Sequence, residues 1–141
     1  DFEGAVREAL AESSRLIITD AEKVATTMLI YPLTLSDFET FLDAASVLET
    51  ALEEAGAADL LQVATFHPDY RFEGDPPEAI DNLPGRAPAP ILHLLRVESV
   101  AEAVARHPDP HHIADQNVAH LKALTPQQRR ALWPWMDTES A

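Results

Sequence analysis

The fold is decided around residues 60–72, whose sequence is LLQVATFHPDYRF. The first seven of these residues are mostly apolar and β-favouring, which predicts a buried strand over 60–66. Pro68 cannot continue a helix and keeps the residue before it extended. The functional side chains that follow the strand are those of His67, Asp69, Tyr70 and Arg71. Because ligands bind at strand ends in α/β sheets, the sequence predicts a functional site here.

A strand and a helix precede this stretch. Residues 25–31 form a second short apolar run and predict another buried strand. The Ser-Asp-Phe-Glu sequence at 36–39 matches a capping box and predicts a helix that runs to Gly56. Together with strand 60–66 these elements predict a right-handed parallel βαβ crossover, with His67 at the carboxyl edge of the sheet. The expected fold is α+β, a small mixed sheet with helices packed on it.

The rest of the chain is divided among helices, one strand and a long loop. Apolar spacing predicts an amphipathic helix over 2–18, and an apolar run predicts a strand over 91–97. Prolines and glycines predict an extended loop over 73–90, which we interpret as a wall or lid over the site. Further helices are expected after a second capping box at 99–102, over 110–124, and from a third capping box at 125–128.

Composition limits the size of the fold and the classes of partner. With 141 residues, 46% of them hydrophobic, the chain is long enough for one core, so a single domain over 1–141 is expected. Its 24 acidic and 10 basic residues give a net charge of −14, which argues against nucleic acid and membrane surfaces as partners. The chain has no cysteine and no signal-like opening, so we expect a cytoplasmic protein without disulfides or thiolate chemistry.

Four segments carry a resemblance to a known family. They are residues 25–32, residues 62–72, Arg86 with Pro88 and Pro90, and residues 92–96. Over about residues 20–106, their order and spacing resemble the successive motifs of the bacterial domain-of-unknown-function family 1415. The resemblance implies a shared fold and a site shared in position, and it assigns no reaction.

The chain also departs from the family pattern and is identified as a divergent member. Family members typically carry a Cys-Pro-Phe motif before the first helix, whereas this chain shows no counterpart and opens at Asp1 without methionine. Truncation of an N-terminal segment, disorder and real absence of the motif stay open as explanations. The family's Thr-Asn-Arg-Ser-Pro-Tyr-Pro pattern is Pro-Gly-Arg-Ala-Pro-Ala-Pro at 84–90, and the acidic residue after the second arginine is Val97. The resemblance therefore implies functional roles only for His67, Pro68, Asp69, Tyr70, Arg86, His93 and Arg96.

The residue types at the predicted site favour an anion-binding pocket. Guanidinium groups and imidazoles bind carboxylates and phosphates through charge-assisted hydrogen bonds. The imidazole of His67 is one of the groups expected in this pocket. The expected partner is a small anionic molecule, and the residues expected to bind it are Arg71, Arg86, His93 and Arg96. The alternative is that the arginines pair with acidic side chains of the chain itself, namely Asp69, Glu73 and Glu98.

A catalytic role is the second hypothesis for this pocket. His67 would act as a general acid or base, held by Asp69 or Tyr70, with Arg86 and Arg96 stabilising a developing negative charge. The structural alternative is that His67 only plugs the strand end, with its Nδ1 atom bonded to the backbone. The sequence leaves the choice between enzyme and binding protein open.

Two further classes of function also stay open. His67 and His93 could ligate a metal ion or a haem iron if their strands are neighbours. The run from His107 to Asp115 offers further ligand types, but in no recognised order. A non-enzymatic interaction module would instead have its polar groups satisfied internally and an apolar patch exposed. No cofactor is assigned, and homo-oligomerisation is compatible with each reading.

Overall fold

Helices dominate the secondary structure. The computed structural model describes residues 1–136. The helices are α1 (Phe2–Ile18), α2 (Phe38–Glu54), α3 (Val97–Arg106), α4 (Ile113–Ala123) and α5 (Pro126–Leu132). The strands are β1 (Thr27–Ile30), β2 (Leu61–Phe66) and β3 (Ile91–Arg96), and short 3₁₀ helices cover Ile80–Gly85 and Pro110–His112.

The three strands form one sheet with β3 in the centre. The order is β1-β3-β2, and both pairings are antiparallel, with Ile91 opposite Ile30 on one side and opposite Phe66 on the other. The predicted α+β fold is confirmed, but the predicted mixed sheet with a parallel crossover is wrong, because the sheet is antiparallel throughout. Strands β1 and β2 run in the same direction because each is antiparallel to β3, yet β3 lies between them. The helix α2 therefore connects two strands that share no hydrogen bonds.

The core lies between one face of the sheet and helices α1 and α2. Leu92 and Leu94 of β3 are fully buried on this face, together with Phe41 and Leu48 of α2. Burial of side chains of this size stabilises the fold by about 1.5–3 kcal/mol each. The small buried residue Ala9 lets α1 approach α2 closely. The core thus holds the start of α2 against the end of β2.

The helix starts follow the predicted signals in part. Helix α2 is capped by Asp37, whose carboxylate accepts a hydrogen bond from the Thr40 N–H at 2.9 Å, so the predicted box starting at Ser36 is wrong by one residue. Helix α3 begins at Val97, directly where the β3 ladder ends, and not after the predicted box at 99–102. The box between Thr125 and Gln128 at the start of α5 is confirmed.

The proline-rich loop is more ordered than predicted. Residues 80–85 form a 3₁₀ helix, so the expectation of no regular structure over 73–90 is wrong there. The fully buried Asn82 holds the loop together. Its Oδ1 atom accepts from the Phe72 N–H at 2.9 Å, and its Nδ2 atom donates to the Pro76 carbonyl at 3.0 Å.

The helices after β3 bury little. Neither α3 nor α5 has a buried residue, and α4 has one, Leu121. The single helix predicted over 110–124 is a 3₁₀ turn followed by α4.

Within residues 1–136, none of the helices combines the length and the apolar character needed to cross a bilayer.

Candidate functional site

The site predicted after β2 forms where three segments of the chain meet. The His67 N–H donates to the Gly85 carbonyl at 3.0 Å, and the His67 carbonyl accepts from the Ala87 N–H at 3.4 Å. At the same edge of the sheet the Tyr31 N–H donates to the Pro90 carbonyl at 2.9 Å. The end of β1, the end of β2 and the loop before β3 are therefore joined by backbone hydrogen bonds.

His67 is fully buried and both of its ring nitrogens are engaged. Its Nδ1 atom accepts from the Asp69 N–H at 3.0 Å, and its Nε2 atom lies 3.1 Å from the Leu35 carbonyl. These contacts fit the neutral ring with its hydrogen on Nε2, because a carbonyl only accepts and an N–H only donates. The rings of Phe38 and Phe41 pack against the imidazole, each with a centroid distance of 5.1 Å. The imidazole thus links β2 to the segment before α2.

Leu35 is a part of the site that the sequence did not indicate. Its φ angle is +60°, a left-handed conformation that is strained for a residue with a branched side chain. The side chain is buried, and the carbonyl faces His67. No turn-favouring residue type marks this position, so sequence reasoning had no signal for it.

Tyr70 packs beneath the loop with its ring half-buried. It makes edge contacts with Phe38 at 5.6 Å and with Phe72 at 5.3 Å between ring centroids. A side chain at Gly85 would overlap the Tyr70 ring, which explains the glycine at that position. Burial raises the pKa of the Tyr70 phenol, so the hydroxyl stays protonated at neutral pH.

Arg86 carries a half-buried positive charge that is held by backbone carbonyls. Its Nε atom donates to the Tyr70 carbonyl at 2.5 Å, and one Nη2 hydrogen is donated to the Pro77 carbonyl at 2.8 Å. Burial lowers the pKa of this guanidinium, and the charge of Asp69 opposes that shift. Within residues 1–136, no carboxylate forms an ion pair with Arg86, and its Nη1 atom makes no hydrogen bond.

A cleft opens beside Arg86, and the exposed Arg71 lies on its wall. The cavity measures about 400 Å³ and is lined by Ser36, Asp37, Phe38, Glu39, Asp69, Arg71, Pro77 and Arg86. A second depression of about 670 Å³ shares Phe38, Glu39 and Arg71 and continues along residues 72–76. Arg71 has no ion-pair partner in the described part of the chain. The hydrogen bonds from Thr40 hold the pKa of Asp37 below its usual range, so this carboxylate is ionised at neutral pH.

The structure brings together only some of the predicted site residues. Asp69, Arg71 and Arg86 line the cleft, while His67 and Tyr70 lie behind it. His93 lies within β3 on the other face of the sheet, beside Phe66, and its Nε2 atom is 2.8 Å from the Thr26 hydroxyl. Burial lowers the pKa of His93. The cleft is therefore an arginine and carboxylate site backed by a buried histidine.

Arg96 lies at the opposite end of the sheet, across from Leu61 at the start of β2. Its Nη2 atom donates to the Thr19 carbonyl at 2.9 Å and to the Val24 carbonyl at 2.8 Å. These hydrogen bonds close the connection between α1 and β1. In this arrangement Arg96 is remote from His67 along the strand and does not line the cleft.

The residues considered as metal ligands are dispersed. Among residues 1–136, no three His, Asp or Glu side chains are grouped so as to hold a metal ion. Near the start of α4, His112 contacts Asp109 at 2.8 Å, and the Nδ1 atom of His107 accepts from the Asp109 N–H at 3.0 Å. These contacts close the entry to the helix.

Comparison with known proteins identifies the family and no activity. The profile of a family described as a protein of unknown function, DUF1415, matches residues 1–131. The chain therefore belongs to this family, and the resemblance described for its motifs is confirmed. No curated protein and no solved structure gives a significant match to the chain.

Proposed function

We propose that this DUF1415 protein binds a small molecule with a carboxylate or phosphate group in the cleft beside Arg86. The guanidinium groups of Arg86 and Arg71 would bind the anionic group of this molecule. The observation that carries the proposal is the half-buried charge of Arg86, which forms no direct ion pair with a carboxylate within residues 1–136 and is affected only by the nearby charge of Asp69, in a chain with a net charge of −14.

The bonding of Arg86 supports this reading. Charges that are withdrawn from water are normally paired, because desolvation disfavours the charged form. The carbonyls of Tyr70 and Pro77 supply hydrogen bonds and orientation but no negative charge. The Nη1 hydrogens remain available, and a planar guanidinium that is held in place can bind an oxyanion through two parallel hydrogen bonds.

The carboxylates around the cleft narrow the class of ligand. Asp37, Glu39 and Asp69 line the same cavity as the two arginines. A large polyanion would be repelled, whereas a small anion fits beside the arginines. A ligand that also carries a hydrogen-bond donor or an amino group could contact the carboxylates at the same time. The proposed ligand class is thus a small carboxylate or phosphate compound of low net charge.

In the proposed site, His67 positions the loop that carries Asp69 and does not contact the ligand. A general base needs a free lone pair within reach of its substrate. The Nδ1 lone pair of His67 is taken by the Asp69 N–H, and the Nε2 atom is occupied by the Leu35 carbonyl. These contacts favour a role in which His67 fixes Asp69 at the cleft and takes no part in proton transfer.

Ligand-dependent thermal shift and titration calorimetry test the proposal. The probes are inorganic phosphate, succinate and glycine, and the variant is Arg71→Ala, because Arg71 is exposed and lacks structural partners in the described region. We expect at least one probe to stabilise the wild type and its affinity to fall about tenfold in Arg71→Ala, the effect of a lost charge-assisted contact.

The matched control is Arg7→Ala, which removes another exposed arginine, from α1 and outside the cleft. It should bind as the wild type does. Arg86→Lys is a second variant, which keeps the charge but loses the planar fork and should also bind more weakly. Equal affinities in the wild type and Arg71→Ala, or no binding of any probe to the wild type, would refute the proposal.

A further inference from the structure

The outer edge of β1 presents unpaired backbone groups. The Tyr31 N–H bonds to β3 through the Pro90 carbonyl, and Leu29 lies opposite Leu92. Hydrogen bonds in an antiparallel pair use alternate residues, so the N–H and C=O groups of Met28 and Ile30 point away from β3. Within residues 1–136, no strand pairs with this edge.

The side chains along the same edge are apolar and exposed. Met28 and Ile30 share the sheet face opposite to that of the buried Leu29, and they are 51% and 57% exposed. Leu33, which follows the strand, is 97% exposed. Edge strands in monomeric proteins are usually protected by charge, proline or a bulge, and β1 has none of these within its four residues.

The segment around β1 carries no charged side chain, which favours a second copy of this acidic chain as its binding partner. Residues 24–36 contain no Asp, Glu, Lys, Arg or His, and this is the longest stretch of the chain without Asp, Glu, Lys or Arg. Two copies of a chain with a net charge of −14 repel each other over most of their surface. A segment without charge is where that repulsion is smallest, so it suits contact between two copies.

We propose that the chain forms a two-fold symmetric dimer in which β1 pairs antiparallel with β1 of a second copy. Met28 would lie opposite Ile30 of the second copy, and Leu29 would lie at the two-fold axis. The outward N–H and C=O groups would then be paired, and the exposed apolar side chains would meet across the new strand pair. The two sheets would become one sheet of six strands.

Analytical ultracentrifugation over a range of micromolar concentrations tests the dimer. We expect the mass of the wild type to rise from 15.5 kDa toward twice that value. Ile30→Lys introduces a charge on the exposed side, and Met28→Pro removes an outward N–H while leaving the hydrogen bonds to β3 in place. Both variants should stay monomeric at concentrations where the wild type is dimeric.

The control is Val47→Lys, which makes the same change of charge at an apolar residue of α2 that is 45% exposed. It should dimerise like the wild type. A wild type that is monomeric throughout overturns the proposal, and a dimer that persists in both β1 variants overturns its location.

Amide hydrogen exchange on the wild type tests the same edge without any substitution. The Met28 and Ile30 amides should be protected at high protein concentration and lose that protection on dilution. The Leu29 and Tyr31 amides, which face β3, should remain protected throughout. Protection of Met28 and Ile30 that does not change with concentration would contradict an interface between copies.

Discussion

The part of the chain up to β3 and the helices after it differ in how they are stabilised. Residues 2–96 contain almost the whole buried core, whereas in the described residues after Arg96 only Leu121 is buried. The later helices are attached by polar contacts, such as Lys122 with Asp81 at 3.3 Å and the Trp133 indole N–H with the Arg86 carbonyl at 3.3 Å.

This difference places stability and the candidate site in the same region. Buried apolar area provides most of the free energy of folding, and exposed ion pairs contribute about 0–1 kcal/mol each. The cleft is built on α2, β2 and the loop before β3, so its arginines are held by the stable region. The Trp133 contact with the Arg86 carbonyl is the point at which the later helices reach the site.

The largest expected effect is on the core of the first region. Phe41→Ala removes a fully buried ring and should lower the free energy of unfolding by about 3–5 kcal/mol, because a cavity remains in the core. Val104→Ala in α3 removes a side chain that is 44% exposed and should change it by less than about 0.5 kcal/mol. Urea denaturation measures both, and similar losses would erase the contrast between the regions.

His67→Ala should have the next largest effect, a loss of about 3 kcal/mol. It leaves a cavity between two phenylalanine rings and removes the ring partners of the Asp69 N–H and the Leu35 carbonyl. His67→Gln, which can restore only the donor toward Leu35, should recover part of this loss. A stable His67→Ala protein would show that the imidazole does not hold the loop and would reopen the catalytic reading.

Leu121→Ala tests whether the later helices unfold separately. Because Leu121 is the one buried residue of α4, its loss should weaken the attachment of α4 and α5 by about 2 kcal/mol. Amide exchange should become faster in α4 and α5 and stay unchanged in β3. Equal acceleration in β3 would mean that the two regions unfold as one unit.

A smaller effect is expected in alkaline solution. Burial, together with the negative charge of Glu8, raises the pKa of Tyr31 to about 12. Between pH 10 and this value the unfolded chain loses the phenol proton while the folded chain keeps it, so stability should fall as the pH rises through this window. Tyr31→Phe should remove this part of the pH dependence of the melting temperature. An unchanged profile in Tyr31→Phe would exclude Tyr31 as its source.

Sequence patterns predicted well what depends on neighbouring residues. The period of apolar residues predicted α1 over the range observed, and Thr125 with Gln128 correctly predicted the start of α5. The strand ending before His67 was also predicted, because an apolar run followed by His-Pro has few other conformations. The sequence did not indicate Leu35, whose positive φ angle is held by contacts from distant residues.

The sequence by itself determined most of the helices and strands of this protein and its acidic character, and it predicted a candidate site at the end of β2. Only the tertiary structure decided that β3 inserts between β1 and β2, and that Arg86 reaches the cleft while Arg96 closes a connection at the other end of the sheet. The reason is physical. Periodicity and caps act over a few residues, whereas strand pairing and the partners of a guanidinium depend on residues such as Thr19 and Arg96 that only the folded chain brings together.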